Sequence, residues 1–173
     1  MNSTEYLLKL VDWQLFFTLT FSDKNMASVY VRERKVKKFL CALAKRQQVT
    51  LADLPTAIRW ERGETTQRPH CHVLLTGLPK SPTIALCFIL MKDWAKRGGH
   101  AEVRLWDRGL RPQAAAYLVK GMDGEKPVIG EYSSGNEYEM CKFNSADRLI
   151  LNEAFWRLLQ KKTQTSFEVA PTC

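Results

Sequence analysis

Apolar and polar positions alternate along Gln14–Phe21, with Phe16, Thr18 and Thr20 on one side and Phe17, Leu19 and Phe21 on the other. A period of two is that of a strand, and the second set is its core face. From Met26 to about Gln48 the period changes: Val29, Val36, Phe39, Leu40 and Leu43 recur at helical spacing. Thr56–Glu61 and His70–Thr76 read as two strands joined by a turn over Gly63–Arg68, so they pair as an antiparallel hairpin. A second long helix starts at Ser81-Pro82, a good cap followed by a proline suited to the first turn. It runs to about Lys96 and ends at Gly98-Gly99. Ile84, Phe88, Met91 and Trp94 are among its many apolar positions, which predicts a well-buried helix.

His100–Trp106 alternates again, with Ala101, Val103 and Leu105 opposite Glu102, Arg104 and Trp106. Arg111–Lys120 reads as a helix with Pro112 near its start and Gly121 as its stop. Weaker strand signals follow near Val128–Tyr132 and Glu137–Phe143. A last helix is expected from Asn144 or Ser145 to about Lys162, with Leu151, Phe155, Leu158 and Leu159 on one face. Residues 1–13 carry a short helical pattern. The order is β-α-β-β-α-β and then helices, which predicts an α+β domain of the ferredoxin-like split βαβ type, RRM-like, with helices packed on a central antiparallel sheet. The expected organisation is a single domain over 1–162 and a loose tail over 163–173.

Composition narrows the partners. The chain has 173 residues, 45% of them hydrophobic, with 26 Lys and Arg against 18 Asp and Glu, a net charge of +8. That balance favours a polyanion, nucleic acid before an acidic membrane. The first helix pattern concentrates Arg32, Arg34, Lys35, Lys37, Lys38, Lys45 and Arg46. That face is either a solvated one or a surface for phosphates. Cys41, Cys71, Cys87, Cys141 and Cys173 form no CxxC pair, which suggests reduced thiols and a cytoplasmic location. No leader pattern or membrane-length apolar run is visible. No GxxxxGK[ST] phosphate loop occurs, so strand unwinding is expected from a partner.

The candidate chemistry centres on Arg68-Pro69-His70-Cys71-His72-Val73-Leu74-Leu75. Residues two apart in a strand share a face, so His70 and His72 stand together and can share one metal ion. Glu61 and Glu64 lie just upstream, at hairpin distance. Tyr117 and Lys120 follow, one helical turn apart. Metal ligands with a tyrosine nucleophile and a nearby cation suit phosphodiester cleavage. His100 reads as a surface residue. Trp106, Arg108 and Arg111 suit either single-stranded DNA or an ordinary loop.

Three stretches in order resemble the HUH endonucleases, and among them the rolling-circle replication initiators (Rep proteins) with one catalytic tyrosine. Phe16-Phe17-Thr18-Leu19-Thr20-Phe21 is like the family's first strand, the His70–His72 stretch like its metal-binding strand, and Ala116-Tyr117-Leu118-Val119-Lys120-Gly121 like its nucleophile helix. The resemblance spans residues 16–121. It implies that His70, His72 and an acidic residue bind Mn²⁺ or Mg²⁺. Glu61 is the preferred third ligand because it lies nearer the strand end, and Glu64 is its rival. It implies Tyr117 as nucleophile assisted by Lys120, a 5′-phosphotyrosine intermediate, and single-stranded DNA or an origin hairpin as substrate. A helicase and a polymerase would be further partners. The tyrosine follows the histidines, unlike the order in relaxases, and Lys120 stands where single-tyrosine transposases carry a glutamine. A related transposase or relaxase, or a nucleic-acid-binding module without catalysis, are the other readings.

Overall fold

The computed structural model describes residues 3–22, 28–62, 68–106, 115–116, 118–120, 128–129 and 148–168. Its elements in chain order are α1 (Ser3–Lys9), β1 (Leu15–Phe21), α2 (Val29–Arg46), a 3-10 turn (Leu51–Asp53), β2 (Thr56–Arg62), β3 (Pro69–Leu75), α3 (Ile84–Ala95), β4 (Gly99–Leu105), β5 (Val128–Ile129), β6 (Arg148–Leu151) and α4 (Glu153–Glu168). The strands form one sheet in the order β4-β1-β3-β2-β6-β5. Every pairing from β4 through β6 is antiparallel, and the two-residue β5 joins β6 in parallel. The β1-α2-β2-β3-α3-β4 unit with order 4-1-3-2 is the split βαβ arrangement expected from the hydrophobic pattern.

Alternation along the strands divides the sheet into two faces. On one face Leu15, Phe17, Leu19 and Phe21 of β1, Ile58 and Trp60 of β2, Cys71 and Val73 of β3, and Ala101 and Val103 of β4 are buried together. Val36, Phe39, Leu40 and Leu43 of α2, with Cys87, Leu90 and Trp94 of α3, close over them. Edge-on rings of Phe17, Phe39, Trp94 and Phe21 knit this core. A second cluster on the opposite face gathers Leu8, Val11 and Trp13, Ala57 and Leu74 from the sheet, Leu149 and Leu151 of β6, Phe155 and Leu159 of α4, and Ala115, Leu118 and Val119.

Two glycines end α3 and set its junction with β4. Gly98 has φ +88, where side chains with a Cβ are strained. A Cβ on Gly99 would lie 2.2 Å from the Thr20 carbonyl oxygen and 2.4 Å from Trp94 Nε1, the two atoms that hydrogen-bond across this point at 3.1 Å. Only a bare backbone fits between them.

Three expectations are corrected. α3 starts at Ile84, capped by Thr83, whose hydroxyl accepts from the Leu86 N–H at 3.2 Å. Ser81-Pro82 lies outside the helix. Nor is α3 buried all round, because Ile84 and Phe88 are 64% and 57% exposed. The helix is apolar on every side, so periodicity could not choose its face; the core takes Cys87, Leu90 and Trp94. Arg148–Leu151, expected in the last helix, is strand β6. It pairs with β2, Ala57 facing Leu151 and Trp60 facing Arg148, which satisfies a backbone edge that would otherwise be open. Asn152 then turns the chain into α4. Its Oδ1 accepts from Thr56 N at 2.9 Å and Phe155 N at 3.0 Å, and its Nδ2 donates to the Leu54 carbonyl at 2.8 Å. α4 continues to Glu168, beyond Lys162.

The strand expected over residues 137–143 falls outside the described residues, as do residues 63–67. Cys41, Cys71 and Cys87 are free thiols, and no helix among the described residues is long and apolar enough to cross a membrane.

Candidate metal centre

The sheet face opposite α2 and α3 carries the polar positions of the four-stranded unit. Cross-strand register sets them in rows. Glu102, Thr18, His72 and Arg59 form one row, and His100, Thr20, His70 and Glu61 the next. Strand pairing therefore brings Glu61 opposite His70, and the pleat places His72 one step along on the same side.

The side chains converge on one point. Glu61 Oε1 is 2.7 Å from His70 Nε2 and 2.9 Å from His72 Nε2. The two imidazoles are nearly perpendicular, with centroids 5.1 Å apart. The far nitrogen of each ring is also held. His72 Nδ1 lies 3.1 Å from the Thr18 hydroxyl, and His70 Nδ1 lies 3.2 Å from the Arg68 carbonyl, to which only a ring N–H can donate. Phe16 stacks on the His72 ring at 5.7 Å with a 5° angle between planes. His72 is buried, while His70 and Glu61 are partly exposed at the open end of the sheet.

Electrostatics follow from this geometry. Partial burial acts to raise the Glu61 pKa. Hydrogen bonds from His70 and His72 and the charge on both rings outweigh it and hold the carboxyl well below its ordinary value of 4.5. The carboxylate is thus an anion at neutral pH, flanked by two nitrogen donors. Burial pushes the Cys71 thiol upward; it points into the opposite core and offers no thiolate to the site.

This donor set suits a divalent cation. One ligand atom from each of Glu61, His70 and His72 lies within 4.8 Å of the other two, close enough for a single ion to touch all three. The hydroxyl and carbonyl on the Nδ1 atoms orient both rings with Nε2 inward, as outer partners do for ligating histidines. Two imidazoles and one carboxylate are an intermediate ligand set, compatible with Mn²⁺ and, with water completing the shell, Mg²⁺.

The remaining sequence candidates fall into three groups. His100 is exposed and stands outside the cluster, as its surface reading implies. Trp106 is half-buried against the second core cluster, which is the ordinary packing reading. Glu64, Arg108, Arg111 and Tyr117 lie outside the described residues. The residues around Tyr117 are informative: Ala115, Leu118 and Val119 are helical and buried in the cluster on the metal-site face. Lys120 is exposed and ends the described part of that stretch. The basic helix α2, by contrast, packs on the other face, with Arg46 paired to Asp93 at 3.0 Å and Lys35 donating to the Arg97 carbonyl.

Sequence reasoning passed over Arg59. It is buried on the metal-site face, in register with His72, and its Nη2 lies 3.4 Å from the Lys120 carbonyl. The signal was present in the alternation of Arg59-Trp60-Glu61, which puts Arg59 on the same side as Glu61.

No curated protein and no solved structure matches the chain. A family model does, that of the ORF2-type replication-associated proteins, over residues 14–126. The match covers more than half of the chain and takes in β1, the His70–His72 strand and the stretch from Ala115 to Lys120. With the Glu61–His70–His72 cluster inside the matched region, the chain belongs to the ORF2-type replication-associated protein family.

Proposed function

We propose that the protein is a metal-dependent nicking and joining enzyme for single-stranded DNA that initiates rolling-circle replication. The observation that carries this reading is the convergence of His70 and His72 on one oxygen of Glu61, on an open sheet face of a replication-associated chain. Tyr117 is the nucleophile. Its phenol oxygen attacks the scissile phosphorus, the P–O3′ bond breaks, and the 3′ oxygen leaves with a proton. The product is a 5′-phosphotyrosine and a free 3′-OH. The reverse reaction joins ends with no nucleotide cofactor, since the phosphodiester energy is kept in the tyrosyl ester.

The residues divide the work. Glu61, His70 and His72 hold Mn²⁺ or Mg²⁺, which when bound draws negative charge from the non-bridging oxygens of the phosphate. Thr18 and the Arg68 carbonyl keep the two imidazoles oriented. Lys120, one helical turn from Tyr117, supplies positive charge near the attacking oxygen. Helicase and polymerase functions come from partners.

The test is covalent capture. The protein is incubated with MnCl₂ and a pool of single-stranded hairpin oligonucleotides with randomised loops, and protein–DNA adducts are resolved on a denaturing gel. Adduct should form with Mn²⁺, vanish with EDTA and be absent in Tyr117→Phe. Equal adduct in that variant would remove Tyr117 as nucleophile. Binding that ignores EDTA, with no cleavage of any oligonucleotide, would leave a nucleic-acid-binding module instead.

A further inference from the structure

We propose that Arg59 is a positioning residue for strand transfer, docking the end of the Tyr117-bearing segment onto the metal-binding face of the sheet. The inference rests on the functional reading above and names a residue that reading does not use.

Arg59 is 3% exposed, although a guanidinium stays charged at any pH at which the protein folds. Buried charges are expected to be paired and fully hydrogen-bonded, because desolvation is otherwise uncompensated. Arg59 is not so satisfied. Its Nη2 donates to the Lys120 carbonyl over a long 3.4 Å, and its Nε and Nη1 have no partner among the described residues. A stable fold has no need of this arrangement. The flanking face positions on this strand and on β6, Ala57, Leu149 and Leu151, are apolar and fully packed.

The location explains it. Arg59 stands opposite His72 on β3 and two residues from Glu61 on β2, with both on its side of the sheet. The carbonyl it meets closes the helical residues Leu118 and Val119, and the last carbonyls of a helix carry partial negative charge and lack partners of their own. Lys120 is three residues from Tyr117. A single strand, β2, therefore supplies both a metal ligand and the cation that reaches the nucleophile's segment. The pair of contacts couples the position of that segment to the position of the metal centre. In-line attack needs that coupling, since reactivity falls steeply once the reacting atoms leave contact geometry.

Arg59→Gln, Arg59→Leu and Arg59→Lys are compared with the wild type in the full chain. Three readouts are taken: the rate of adduct formation at saturating hairpin oligonucleotide, the Mn²⁺ affinity by titration calorimetry, and the melting temperature. The Gln and Leu variants should lose about 100-fold in the saturated rate, the scale of a small misplacement. Their Mn²⁺ affinity and half-saturating oligonucleotide should stay within about twofold, the pattern of an interaction that matters only in the transition state. Arg59→Lys, which keeps the charge but not the fork, should recover part of the rate. Wild-type rates in both Gln and Leu variants would overturn the inference while leaving the nuclease reading intact. A loss that Lys does not relieve and that tracks a matching fall in Mn²⁺ affinity and melting temperature would also overturn it, as a purely structural role. A wild type that forms no adduct would overturn both.

Discussion

Thr18 of β1 and His72 of β3 face each other in the strand register, and the threonine hydroxyl lies 3.1 Å from His72 Nδ1. One threonine on a neighbouring strand thus turns a buried imidazole so that its Nε2 meets Glu61 at 2.9 Å. Phe16, two residues back on the same face, stacks flat against the ring and restricts its rotation. The metal centre is therefore built from three strands, although its ligands come from only two.

Thr18→Val keeps the shape of the side chain and removes the hydrogen bond. It should lower Mn²⁺ affinity by about 10- to 100-fold, the usual cost of losing an outer partner of a ligating histidine. Thr18→Ser should retain most of it. Titration calorimetry of the two variants decides the point; equal Mn²⁺ affinity in Val and wild type would deny Thr18 this role.

Acid should weaken the fold through Glu61. Partial burial favours its protonated form, but the two histidines overcome that and hold its pKa well below 4.5. The unfolded carboxyl thus takes up a proton more readily than the folded one. Its stabilising contribution is complete above the ordinary carboxylate range and is lost as pH falls toward the lowered folded value. Between about pH 5 and about pH 3, the urea midpoint of the wild type should fall more steeply than that of Glu61→Gln, which has no such group.

Divalent metal should stabilise the protein by mass action. At about 100 times its dissociation constant, Mn²⁺ should add about 2.7 kcal/mol, seen as a melting temperature that rises with Mn²⁺ and reverts with EDTA. His70→Ala should abolish the rise with little cost to the metal-free fold, because His70 is only partly buried. His72→Ala should abolish it and also destabilise the metal-free protein by about 1–3 kcal/mol, because the ring is 4% exposed and packed on Phe16. A Mn²⁺-dependent rise that survives both substitutions would place the ion elsewhere.

Asn152→Ala should be among the most destabilising single changes in the chain. Two buried N–H groups, of Thr56 and Phe155, and the Leu54 carbonyl would each lose their side-chain partner. Leaving buried backbone groups unsatisfied costs about 1–3 kcal/mol apiece before relaxation. Chemical denaturation should show a loss of about 2–4 kcal/mol. A loss below about 0.5 kcal/mol would mean that β6 and α4 hold their places without this clamp.

What the sequence determined by itself was local. A period of two in Phe16–Phe21 and in His70–Leu75 sorts side chains between faces whatever the strands pair with, so the shared face of His70 and His72 and the core face of β1 were legible. The short hairpin between β2 and β3 likewise made an acidic third ligand expected. Tertiary structure decided what depends on register and on distant partners. It set Glu61 opposite His70 and Thr18 opposite His72. It brought Arg59 to the Lys120 carbonyl across 61 residues of chain. It also made Arg148–Leu151 a strand, since four mostly apolar residues suit either period and only the open edge of β2 selects one. Periodicity reports which side of an element is apolar; only the packed sheet determines which residues meet across it.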